Sequence, residues 1–190
     1  MKKLLFFSLL SFFVASLFGQ QDETLFGGTK LAQTGSWAGF SYTPTKFLGK
    51  SSVQTGIDVK LEYNNSVFFG WQWRKTADEL FIQDANTTNQ VDFGYHTFLG
   101  GYSFRTHKVV HPIFSVGVGR GKLQFDEGKD RVLVVQPSAG VEINLFRWMR
   151  LGIDGGYRYV TGIQQDNIAS EDLSNYYGSV TFRFGWAWGR

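Results

Sequence analysis

The chain has no cysteine, which rules out a disulfide framework and thiol chemistry alike. It also has little charge imbalance. Lys2 and Lys3 belong to an N-terminal export signal, and without them the 19 basic residues fall to 17 against 16 acidic ones. A net charge of +1 gives nucleic-acid binding no electrostatic support. No helical segment is available to cover a sheet, and the three histidines are too few and too scattered to suggest a metal centre. What the chain has instead is glycine, 23 residues, and an aromatic fraction of 17%. Those are the materials of a sheet that bends into a closed barrel with interfacial rings.

The signal is read from Lys2 and Lys3 followed by Leu4 to Phe18, an apolar stretch broken only by Ser8, Ser11 and Ser16. It is short of the roughly twenty residues that a helical span needs. We therefore expect a signal peptide over 1–19, cleaved after Gly19, and then a periplasmic segment over 20–34. The rest, 35–190, is expected to form one β-barrel, with no appended module after Arg190.

Period-2 alternation carries the fold prediction. From Tyr176 to Trp188 one face reads Tyr176, Gly178, Val180, Phe182, Phe184, Trp186, Trp188, and the other Tyr177, Ser179, Thr181, Arg183, Gly185, Ala187. Strands are predicted at 35–44, 52–63, 66–75, 90–104, 109–122, 132–146, 148–162 and 175–188. In the second, Val53, Ile57, Val59, Leu61 and Tyr63 alternate with Gln54, Asp58, Lys60 and Glu62; the third sets Val67, Phe69, Trp71 and Trp73 against Gln72 and Arg74. An Arg or Lys on a lipid face near the midplane costs about 2–4 kcal/mol, so the charged faces must look inward. A soluble sandwich would need a second apolar layer, and the inward residues are too polar to supply one. The fold class is therefore all-β: an eight-stranded antiparallel up-and-down transmembrane barrel. In the fourth strand Val91, Phe93, Tyr95 and Leu99 share an expected outward face, while Tyr102 and Phe104 switch sides. A β-bulge near Gly100-Gly101 is expected there.

Long polar connections are predicted at 45–51, 76–89, 123–131 and 163–174, alternating with short ones at Asn64-Asn65, Thr106-His107-Lys108 and Arg147. That is the pattern of outer-membrane barrels with periplasmic turns and longer surface loops. Both termini would be periplasmic, with Tyr63, Trp148, Trp186 and Trp188 as an aromatic girdle at that interface.

Particular residues carry a resemblance. Phe146-Arg147-Trp148-Met149-Arg150-Leu151 followed by Tyr157-Arg158-Tyr159-Val160-Thr161-Gly162, preceded by Val134 to Asn144 and closed by Phe182-Arg183-Phe184-Gly185, resembles small outer-membrane β-barrel proteins of Bacteroidota-type bacteria. These are mostly uncharacterised members of the OmpA-like eight-stranded barrel superfamily. The resemblance is strong over the C-terminal third and implies a fold and an outer-membrane location, but no activity.

Candidate chemistry lies mainly in the lumen. Asp58, Glu62, Asp92, Glu142 and Asp154 are expected to face inward with Lys60, Arg74, Arg150, Arg158 and Arg183. Eight strands leave a bore that side chains just fill, so balanced charge there reads as a plug; a gated ion path is the functional alternative. His96 is expected in the lumen beside Asp92. His107 and His111 lie roughly 13 Å apart on a strand, too far to share a metal. His111 and Ser115 share a luminal face with no acid, which argues against a hydrolytic set. Gly117, Gly119 and Gly121 are read as making room in the lumen. The acids Asp78, Glu79, Asp84, Asp166, Glu171 and Asp172 leave two loops without a base, a solvated surface or a divalent-cation bridge to lipopolysaccharide. The leading expectation is a non-enzymatic envelope anchor or adhesion barrel without cofactor or metal, monomeric, meeting outer-membrane lipid, lipopolysaccharide and the barrel-insertion machinery. A narrow channel for ions or small solutes, and a lipid-modifying enzyme, are the alternatives.

Overall fold

Alternating side chains and closely spaced glycines produce long, strongly paired strands. The computed structural model describes residues 32–77, 80–84, 87–125, 128–163 and 168–188; the expected signal over 1–19, and the segment after it up to 31, lie outside the described residues. Nine strands form one antiparallel sheet: β1 (Gln33–Phe47), β2 (Lys50–Tyr63), β3 (Val67–Thr76), β4 (Leu80–Asp84), β5 (Thr87–Ser103), β6 (Val110–Phe125), β7 (Gly128–Phe146), β8 (Met149–Thr161) and β9 (Asn175–Ala187). A single turn of helix, α1 (Ser170–Leu173), precedes β9. The order β3-β2-β1-β9-β8-β7-β6-β5 is closed by a β3–β5 pairing, so eight strands form a complete barrel and β4 hangs on β5 outside it. Closure leaves no free edge among the eight.

Burial follows the alternation along each stave. In β2 Gln54, Gly56, Asp58 and Lys60 are buried while Thr55, Ile57 and Val59 are exposed. In β9 Tyr177, Ser179, Thr181 and Arg183 point in, and Tyr176, Phe182, Phe184 and Trp186 point out. The polar face is the inside one, as the cost of charge in hydrocarbon demands.

Connections differ from expectation at one end. The turn end carries Asn64 and Asn65, both with positive φ (50° and 57°), the conformation that tight hairpin turns require and asparagine tolerates. At the opposite, loop end, the predicted loop over 45–51 is a two-residue turn: Phe47 pairs with Lys50, and Leu48 and Gly49 take φ of 51° and 73°. The predicted loop over 123–131 is largely strand, with β6 and β7 paired as far as Phe125 and Gly128. Within 76–89, β4 pairs with β5 from Leu80–Val91 to Asp84–Thr87. Much of what reads as polar loop is thus hairpin that lengthens the staves beyond the rim.

The fourth stave is a correction. β5 pairs without interruption with β3 and with β6, so no bulge breaks it at Gly100-Gly101. Val91, Phe93 and Tyr95 are buried inside, whereas His96, Phe98 and Tyr102 are exposed on the outer face with Phe104 just beyond. The strand keeps one phase throughout, opposite to the expected one at its loop-end half.

Glycine at 119 is required by this pairing: a Cβ there would collide with the carbonyl oxygen of His96 on the neighbouring stave. At 121 it would lie 2.9 Å from Val132 Cγ2 and 3.0 Å from the Phe93 ring. Gly121 thus makes the luminal room expected of it, whereas Gly119 is needed for the close approach of the neighbouring backbone.

Candidate functional site

The barrel interior is filled by a charged level and an apolar level, with a polar belt between them. Nearer the turns, β2 contributes Asp58, Lys60 and Glu62 at successive inward positions, β7 contributes Glu142, β8 Arg150 and β9 Arg183. Glu142 is the hub. Its Oε1 accepts from Lys60 Nζ at 2.6 Å and Arg183 Nη1 at 2.8 Å. Its Oε2 lies 3.4 Å from Arg150 Nη1 and 3.2 Å from His111 Nε2. Arg150 also binds Glu62 with both terminal nitrogens, and Arg183 Nε donates to Asp58 Oδ2 at 2.9 Å. Three acids thereby meet three bases. Lys60, Glu62, Glu142 and Arg150 are 0–2% exposed, and buried charges of this kind are tolerable only when paired on several sides. Two rings complete the level: Trp37 lies 3.8 Å below the Arg150 guanidinium and Phe68 lies 4.7 Å from Lys60 Nζ.

A polar belt follows. Gln72 donates to Gln136 at 2.8 Å, Gln136 to the Tyr95 hydroxyl at 3.0 Å, and that hydroxyl to Gln54 at 3.2 Å. Arg74 donates to Thr43 at 2.6 Å, and Thr43 to Ser179 at 3.1 Å. A cavity of about 30 Å³ remains here, with Asp58, Gln72, Arg74, Ser138 and Asp154 among its walls. That is room for little more than one water.

The loop-end level is apolar. Phe47, Val91, Phe93, Leu123, Val132, Val134 and Val160 project into the mouth, and Ile168 and Leu173 from the segment around α1 close over them. Arg158 fastens this stopper from below. It donates to Leu173 O at 3.0 Å, Gln54 Oε1 at 3.0 Å and Thr45 Oγ1 at 3.3 Å, with its guanidinium 4.1 Å from the Phe47 ring. Leu48 N donates to Asp172 O at 2.9 Å, which ties the β1–β2 hairpin to the same helix.

The ten expected lumen charges are thus divided. Six form the network around Glu142; Arg74 and Asp154 line the cavity between levels; Arg158 sits alone among neutral acceptors. Asp92 does not belong to the lumen: it is outside, 3.1 Å from Lys75 Nζ and 40% exposed. His96 is likewise outside. The reason is depth, because at the loop rim an outward charge no longer competes with hydrocarbon. His111 faces an acid after all, since Glu142 lies opposite it on β7. Ser115 does not join them; its hydroxyl shares a 2.6 Å hydrogen bond with Ser138. Sequence reasoning missed Trp37, Phe68 and Tyr95 as lumen residues. Their parity with Gly39, Gln72 and Thr97 on the same strands was the available signal.

Outside, Tyr63, Trp148, Trp186 and Trp188 all lie at the turn end. Trp148 stacks between Phe146 (5.4 Å) and Phe184 (6.1 Å), and Trp186 is 67% exposed. Among the loop acids, Asp78, Glu79 and Asp166 lie outside the described residues and the Asp84 side chain is not described; Asp172 Oδ2 accepts from Ala169 N at the start of α1. No group of three or more His, Asp or Glu side chains suited to a metal occurs among the described residues.

No family model matches the chain, and no curated protein matches it. Solved structures do. Neisserial surface protein A is similar at 13% identity and a TM-score of 0.56, over 82% of this chain and 99% of that one. The outer membrane protein OprG from Pseudomonas aeruginosa is similar at 11% identity and a TM-score of 0.50, over 83% and 97%. Ail from Yersinia pestis, solved in a phospholipid bilayer nanodisc, has 18% identity and a TM-score of 0.48, over 81% and 100%. At these identities the likeness is one of fold, and this chain folds as a closed, eight-stranded antiparallel β-barrel of the outer-membrane kind.

Proposed function

We propose that this barrel resides in the outer membrane of a Gram-negative cell, turn end and termini toward the periplasm, and acts without catalysis as an envelope anchor or binding surface closed to solutes. The single observation that carries this reading is the double stopper. A path for ions would have to pass both the charge network at Glu142 and the apolar mouth under α1, with a void of only about 30 Å³ between them. The exposed aromatic and aliphatic belt, Phe40, Phe98, Phe114, Val118, Ile153 and Phe182 among it, supports a lipid setting. The turn-end tryptophans fit the role of an interfacial girdle. The likeness in fold to proteins named for surface and outer membrane agrees with that location. The separation of Ser115 from the His111–Glu142 pair weighs against hydrolysis.

The test is single-channel recording of the refolded, full-length protein in a planar bilayer. Silence over a wide voltage range is expected. Steady openings in the unmodified protein would replace the closed barrel with a narrow channel.

A further inference from the structure

The outer surface holds a charged region that neither the lumen nor the girdle uses. The outward rows of β8 and β9 carry no charged residue at all, from Met149, Leu151 and Ile153 to Phe182, Phe184 and Trp186. The other side of the barrel does not repeat this. Strand register sets Lys75, Gly94, Lys122 and Arg131 side by side on β3, β5, β6 and β7. The adjoining row toward the turns reads Trp73, His96, Arg120, Leu133, and the next Trp71, Phe98, Val118, Val135. Two residues along a strand advance about 7 Å, so the surface passes from hydrocarbon-like to strongly basic within two rows. A hollow of about 430 Å³ lies between Trp73, Lys75, His96, Arg120, Lys122 and Arg131.

The arrangement costs stability on its own. Like charges directly opposite on neighbouring strands repel, and Lys122 faces Arg131. Asp92, an acid among the described residues of this face, is engaged by Lys75 at 3.1 Å. Arg120, Lys122 and Arg131 remain exposed. Two arginines flanking a lysine offer the planar forks and point charge that suit a phosphate, and the apolar rows just below suit acyl chains. A soluble anion would use the first feature only; a lipid uses both.

We infer that the outer face of β3, β5, β6 and β7 at the loop rim docks a phosphate-bearing glycolipid of the surrounding leaflet, its phosphate held by Arg120, Lys122 and Arg131 and its chains along Trp71, Phe98 and Val118. The inference takes the membrane setting from the proposed function and goes beyond it in naming the lipid chemistry and its side of the barrel.

The test is native mass spectrometry of the full chain refolded into phosphatidylcholine nanodiscs. One set contains diphosphoryl lipid A, one dephosphorylated lipid A, and one neither, with inorganic pyrophosphate added. Retained lipid A is expected only in the diphosphoryl set. Arg120→Gln with Arg131→Gln should lower retention by roughly tenfold or more, as the loss of two charge-assisted contacts implies. Lys46→Gln with Lys50→Gln, on the far side, should leave it unchanged. Cold-gel mobility identifies folded barrels, and only those are counted. Equal retention of the dephosphorylated lipid, or by the double arginine variant, overturns the site. Pyrophosphate bound as tightly as the lipid overturns the lipid assignment in favour of a soluble anion. Silence in bilayers with no lipid A retained rejects this site alone, whereas conductance with lipid A retained rejects the closed lumen alone.

Discussion

If Glu142 loses its charge, Lys60, Arg150 and Arg183 together lose their shared counterion, and His111 loses its acid. Water replaces that counterion poorly, because the side chains of all four groups are at most 10% exposed. Breaking a buried pair from one side is worth about 3–5 kcal/mol. Glu142→Gln, nearly isosteric, is expected to destabilise the refolded barrel by that order, read as a shift of the urea midpoint in tryptophan fluorescence. Replacing Asp92, exposed and paired with Lys75 at the outer rim, should change that midpoint little. At this scale the sequence was most legible where charge decided the face. Asp58, Lys60, Glu62, Glu142, Arg150 and Arg183 could be placed because hydrocarbon forbids them elsewhere. The same rule misplaced Asp92, which stands above the depth where the prohibition holds.

Elements show where the alternation stops being informative. Leu133, Val134 and Val135 are apolar on both faces, and so are Phe93, Tyr95 and Phe98. One face meets lipid and the other fills the mouth, so hydrophobicity alone does not set their phase. Only the run on to Tyr102 and Phe104 fixes β5, and reading it correctly means giving up the bulge. Helix α1 was not legible either, since four residues carry no periodicity. It holds its place through tertiary contacts: Leu173 in the apolar mouth, Arg158 on its carbonyl, Leu48 on that of Asp172. Arg158→Ala should therefore free α1 while leaving the staves paired. Limited proteolysis is expected to cut near residues 168–174 at least several-fold faster than in the unmodified protein, because cleavage follows the population of the open segment. An unchanged cleavage rate would mean that Leu173 and Ile168 hold the segment unaided.

For the whole molecule, two stoppers in series behave unlike one. Opening either level alone leaves the other across the bore. Phe93→Ala with Leu123→Ala at the mouth should stay silent in a planar bilayer, and Glu142→Gln with Lys60→Gln below should too. Only a variant that opens both levels together with the polar belt between them, by adding Gln136→Ala, is expected to give steady openings, a non-additivity that barriers in series require and a single constriction would not show. The global architecture was nonetheless the most legible part of the chain. Eight staves with small offsets at their ends follow from repeated period-2 segments and short turns, and barrel closure follows from the need to leave no edge in lipid. The loop end was least legible, because strands that run past the membrane meet no hydrocarbon to impose a pattern on them.

The span of the Glu142 network in sequence bears on the order in which such a barrel can enter a bilayer. Lys60 and Glu142 are 82 residues apart, Glu62 and Arg150 are 88, and Asp58 and Arg183 are 125. None of these partners meets until β1 joins β9. An open sheet in hydrocarbon would therefore hold bare charges on one face and unpaired backbone at two edges simultaneously. Stepwise entry, stave by stave, is the costliest route open to this chain. Its strands must curl and seal at the water boundary, or inside a protein gate, and pass into lipid as a finished cylinder.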